Sequence, residues 1–332
     1  MTRLSRTLMG AALVLGLTTT ARAAEPDKLL PPDTDTVAVV NFRQIIESDI
    51  IKKYALEQIK QLLDGQDAKQ ILTDLGLDPL KDVEKVVIGS VETQYKKDMQ
   101  PKFLIVVHGK FDPAKLYKTA EARAKADGNK FSMVKDGDTV MFKFQQSEGE
   151  TAVYGTVVNE KTVVAASEKK LITEALKAAD ANKPAAVKKE LAALIAKLDD
   201  KASIAVAGLL KGKLDEVKLP AGGGLPVKLD GLEKAIPTIE TMALTIKIGT
   251  DVNLDLSLGM KDENAAGDMR NALDDLFRDL KPLVQGLGEF EPRAKPLSDV
   301  LASVKITSKN KDVTLSGKVT NDNIAKMVGP KN

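Results

Sequence analysis

The chain has no cysteine, no tryptophan and a single histidine among its 332 residues. Without thiols there can be no disulfide, no thiolate metal site, no cysteine nucleophile and no lipid-modified N-terminal cysteine. With His108 alone, a zinc or iron site built from several histidines and cysteines is excluded too. Aromatic residues make up only 4% of the chain, so its core must be aliphatic. Arginine is also scarce beyond residue 23: Arg43, Arg123, Arg270, Arg278 and Arg293 remain, and they are scattered. A nucleic-acid surface concentrates positive charge on one face and uses arginine for phosphates and base edges. The lysines here are interleaved with acids along helical stretches, as on solvated faces, so nucleic acid is not an expected partner.

What the chain does have begins at its first residues. Arg3 and Arg6 precede a short apolar run over residues 8–17 (LMGAALVLGL), and Ala21-Arg22-Ala23 puts small residues where a signal peptidase reads them. This pattern predicts a secretory signal peptide over residues 1–23, cleaved after Ala23. The run is too short to span a bilayer, which takes roughly 20 residues. No second apolar run reaches that length, so no stable membrane insertion is expected after cleavage. Removing residues 1–23 takes away three of the 49 basic residues and none of the 47 acidic ones. The mature chain is then nearly neutral, with 46 basic against 47 acidic residues. It is expected to be soluble, in the periplasm or outside the cell.

The pattern along the mature chain predicts an α+β fold of two similar units, each an antiparallel sheet with helices packed on one face. Residues 24–35 read as an extended linker, held open by Pro31-Pro32. The first unit is expected over residues 36–182 and the second over 183–332. In the first, VAVVNF (37–42) reads as a buried strand. Leu56, Ile59, Leu62 and Leu63 share a helical face, as do Ile71, Leu72 and Leu75. Strands follow at 83–90 and 103–109, the second apolar enough for burial on both faces. Asp112 caps a helix opened by Pro113. Residues 131–144 form a hairpin at Asp136-Gly137, and strands at 153–158 and 162–166 lead to a helix at 168–178 capped by Ser167.

In the second unit, Val187, Leu191, Leu194, Ile195 and Leu198 form one helical stripe. A strand at 203–210 and a Gly222-Gly223-Gly224 loop follow. Met242, Leu244, Ile246 and Ile248, then Val252, Leu254, Leu256, Leu258 and Met260, alternate as a long hairpin with one apolar face. A helix at 264–280, a hairpin over 300–307 and 313–320, and a short helix at 321–328 complete it. The order of elements in the two units is alike, which suggests an internal duplication.

Candidate chemistry is thin. His108 has no partner assignable from sequence. Ser167 and Lys170 match S-x-x-K, in which the amine takes the hydroxyl proton of a serine nucleophile, but the companion motifs of such hydrolases are missing. Asp33 and Asp35, or Asp136 and Asp138, supply too few oxygens for a calcium loop. The triple glycine lacks the Lys-Ser/Thr of a phosphate-binding loop. No catalytic, cofactor or metal residue is assigned, and an enzyme is not expected.

The runs PPDTDTVAVVNFRQIIES, LGLDPLKDVEKVVIG, VVHGKFDPAKL and KTVVAASEKKLITEAL resemble a group of uncharacterised exported proteins of planctomycete bacteria. The likeness covers most of the mature first half and weakens in the second. It implies export and no known activity. The expected role is therefore contact with a protein or ligand at the cell envelope. One alternative is a carrier holding a small apolar ligand between strands 242–260 and the helix at 264–280. The other is a Ser167/Lys170 hydrolase.

Overall fold

The computed structural model describes residues 24–65, 72, 77–91, 102–126, 128, 130–145, 147, 149–181, 185–219 and 227–329. The expected signal segment, most of the expected helix around Ile71 and Leu75, and the triple-glycine loop lie outside the described residues.

The chain is α+β, as expected, and its strands are antiparallel. They form one sheet rather than two. The strands are β1 (Thr34–Val40), β2 (Val83–Val91), β3 (Lys102–Gly109), β4 (Phe131–Asp136), β5 (Thr139–Phe144) and β6 (Val153–Asn159). They continue with β7 (Thr162–Ala166), β8 (Ile204–Leu209), β9 (Ile239–Ile248), β10 (Val252–Met260), β11 (Lys305–Lys309) and β12 (Asp312–Val319). All twelve pair in the order β11-β12-β10-β9-β8-β1-β2-β3-β7-β6-β5-β4. The two expected units meet where β1 pairs with β8, Val37 opposite Ala207 and Val39 opposite Ala205. Both are apolar strands, and pairing satisfies the backbone groups that two separate sheets would leave at open edges.

Connectivity repeats across that junction. The order β1-β2-β3-β7-β6 has its counterpart in β8-β9-β10-β12-β11, and the hairpin β4-β5 is extra to the first half. Each half also places a helix after its third strand and another after its last. In the first half these are α4 (Pro113–Ala126) and α5 (Lys169–Asp180). In the second they are α8 (Glu263–Phe290) and α10 (Asn321–Val328). The shorter helices are α1 (Phe42–Glu47), α2 (Leu56–Leu63), α3 (Pro79–Asp82), α6 (Lys189–Ile195), α7 (Asp230–Ala235) and α9 (Pro296–Ser303).

Helices cover both faces of the sheet, not one. Successive strand residues point to opposite sides. Leu104 and Val106 of β3 pack with Leu171 and Ile172 of α5 and with Leu191 and Ile195 of α6. Their neighbour Val107 points the other way, toward Leu116 of α4. Cross-strand partners share a face, and the ladder Met242–Gly208–Thr36–Ser90–Phe103 puts α8 on the same side as α4. There Ala265, Ala266 and Met269 of α8 pack on Leu258, Met260 and Val313.

The expected boundary at residue 182 cuts through a single core, because Leu191, Ile195, Ala205 and Ala207 are buried with Leu104 and Val164. The expected linker is likewise part of that core. Leu29 and Leu30 are buried among the same residues, and a turn from Leu30 N–H to the Asp27 carbonyl holds them there. Two local expectations also change. Residues 300–303 belong to α9, which Pro296 opens, so only 305–309 form the strand. Helix α8 runs past the expected end at 280, through Pro282, to Phe290.

Candidate binding face

The α4/α8 side of the sheet has apolar residues at alternate positions all the way across its middle. Two ladders run over it. One is Leu256–Leu244–Val206–Ala38–Ile88–Ile105, and the other is Leu254–Ile246–Ile204–Val40–Val86–Val107. At the usual spacing of about 4.8 Å between strands, each ladder is roughly 24 Å long. Helix α8 covers the Leu256 end and α4 covers the Val107 end. Between them the residues are only half-buried, and Ile88 is 37% exposed although β2 lies in the interior of the sheet. A solvated face of an antiparallel sheet normally alternates to polar residues. The opposite face of β10 does so, with Asn253, Asp255 and Ser257. On this apolar floor Ile88 is the exposed residue, beside the place where α1 packs against β2, and an exposed aliphatic side chain there is a candidate contact point.

The space proposed for a carried ligand is filled at its covered end. Met242, Leu256, Leu258 and Met260 pack directly against Ala265, Met269 and Leu273. A cleft of about 530 Å³ lies beside this core, against α7 and α8, but its walls include Lys234, Asp262, Asn264, Asp268, Asn271 and Asp275.

The sequence candidates are dispersed. Ser167 does not cap α5. Its Oγ accepts the Phe103 N–H at 3.1 Å, and the N-cap position is Glu168. Lys170 Nζ lies 3.7 Å from Glu174 on the exposed face of α5, so hydroxyl and amine are not brought together. Asp35 is buried and pairs with Lys213. Asp136 accepts from the Thr173 hydroxyl at 3.2 Å. Among the described residues no group of three or more metal-ligating side chains gathers. Nor, among them, is any helix long and apolar enough to cross a membrane.

His108 does acquire a partner, one that sequence reasoning missed. Its Nε2 lies 2.6 Å from Asp27 Oδ2, in the segment expected to be a linker. Burial pushes the Asp27 carboxyl up. The hydrogen bond and charge of His108, the Leu29 N–H and the charge of Lys85 outweigh it, holding the group below the usual carboxylate range. The pair ties residues 24–33, hereafter the strap, to β3. The one sequence signal for it was Leu29-Leu30, an apolar pair out of place in a solvated linker.

Comparison of the chain with family models, with curated proteins and with solved structures finds no match in any of the three.

Proposed function

We propose that this is an exported, non-enzymatic protein of the cell envelope that works by contact, and that the contact surface is the apolar floor around Ile88. The observation that carries the reading is Ile88 itself: a large aliphatic side chain exposed on an interior strand, with Ala38, Ile105 and Val86 half-buried around it. The occupant is the apolar surface of a protein partner. A small-molecule site encloses 70–90% of its ligand, whereas Ile88 stands exposed on a sheet face. The N-terminal pattern and the resemblance to exported planctomycete proteins support a periplasmic or extracellular location. The recurrent strand order supports an origin by duplication of an α+β unit.

The test is site-specific photocrosslinking in the exporting cell. A crosslinker at position 88 or 105 is expected to capture a discrete partner, and one at Asp255 on the polar face is not. Ile88→Asp should abolish capture from position 105. Equal capture from both faces, or none from either, would refute the floor as the surface. Co-purification of a stoichiometric lipid with the mature protein would favour the carrier instead.

A further inference from the structure

The strap begins at the residue that cleavage would make the new N-terminus, and that residue sits at a cleft. Ala24 packs against the main core. With Asp27, Asn41, Lys85, Asp199 and Asp200 it lines a cleft of about 130 Å³ on the α5/α6 side of the sheet. Two of the carboxylates are already matched. Asp27 faces His108, and Asp199 lies 2.6 Å from Lys247, whose hydrogen bond, with that of the Lys201 N–H, holds the Asp199 carboxyl below its ordinary range. Glu25 and Asp200 add two more negative charges, and among the described residues that line the cleft Lys85 is the one cation. The cleft is therefore short of positive charge where processing would create it.

We propose that cleavage after Ala23 arms a latch: the α-ammonium of Ala24 pairs with Asp200 in this cleft and holds the strap on the sheet. Hydrolysis of the 23–24 peptide bond consumes one water, leaving a carboxylate on Ala23 and an ammonium on Ala24. Before cleavage the same nitrogen is a neutral amide with a single proton to donate. Cleavage thus adds an ion pair to a strap whose Leu29 and Leu30 are already buried. The inference rests on the proposed signal cleavage and not on the binding floor.

The experiment compares the chain beginning at Ala24 in two forms, with a free and with an acetylated N-terminus. At pH 6.5 the free-amine form is expected to melt roughly 1–3 °C higher, the range of one partly exposed ion pair in a chain of this size. An α-ammonium loses its proton near pH 7.7–8.0, so the difference should disappear by about pH 9.5. Lysine ammoniums in general keep their proton until about pH 10.4, and carboxylates stay charged throughout this range. Asp200→Asn should lower the free-amine form to the acetylated one, and Asp215→Asn, away from the cleft, should not. Identical melting of the two forms at every pH overturns the latch. N-terminal sequencing of the exported protein tests the cleavage separately, and a start other than Ala24 overturns the inference at its premise.

Discussion

Replacing Leu30 with alanine tests whether the strap belongs to the core. Leu30 is 2% exposed, and its Cδ2 sits over Gly89 of β2, where a Cβ would come within 2.6 Å of it. Truncating a fully buried leucine costs about 3–5 kcal/mol when the cavity cannot collapse. The strap is a single layer of chain and can settle, so the lower end, about 3 kcal/mol, is expected. At about 2–4 °C per kcal/mol, that is a fall of roughly 6–12 °C in Tm for the mature protein, read by circular dichroism. Leu62→Ala is the control: Leu62 is 75% exposed and should change stability by less than about 0.5 kcal/mol. Gly89→Ala supplies the second leg. Alone it drives a methyl into Leu30 and destabilises, but with Leu30→Ala the same methyl partly fills the vacated space. The double variant should therefore be more stable than the sum of the singles by about 1 kcal/mol. A Leu30→Ala Tm within 1 °C of wild type, or strictly additive variants, would refute a buried strap.

Acid should loosen the strap through Asp27. Its folded carboxyl is held below the ordinary range, so the stability it confers is complete above that range and is lost as pH falls through it. Wild type should accordingly lose more stability than Asp27→Asn between pH 5 and pH 3, as followed by urea unfolding, and parallel losses would remove Asp27 from the account. Gly109 ends β3 where a Cβ would lie 1.9 Å from the Asp82 carbonyl oxygen, so Gly109→Ala requires backbone movement. It should cost about 3 kcal/mol in the same assay, and a neutral result would show that the β2–β3 corner yields freely.

Much of the local structure was legible because its signals are local. The alternation from Met242 to Met260 became the β9–β10 hairpin, with its apolar residues on one face. Asp112 accepts the Lys115 N–H at 3.0 Å as a helix cap, and Gly137 takes a φ of +59° in its hairpin turn. Residues 321–328 form the closing helix, capped by Thr320. Ser167 misled because a serine ahead of a helix has the same sequence whether its oxygen caps that helix or accepts an amide from a neighbouring strand. Val300 misled because a short apolar run suits strand and helix alike, and Pro296 decided for helix. The floor was half legible: the alternation announced an apolar face, but not that Ile88 in its middle would stay exposed.

The sequence by itself determined most of the elements and the side of each that is apolar, since periodicity and caps act within a few residues. Only the tertiary structure decided which strands are neighbours, and so that two apparent units share one sheet through β1 and β8. It alone placed Asp27 against His108, buried Leu30 over Gly89 and left Ile88 exposed. Those outcomes depend on which surfaces compete for the same neighbour across long stretches of chain. Hydrophobic burial carries no label for its partner, so that competition is resolved by shape and by backbone pairing in the folded chain.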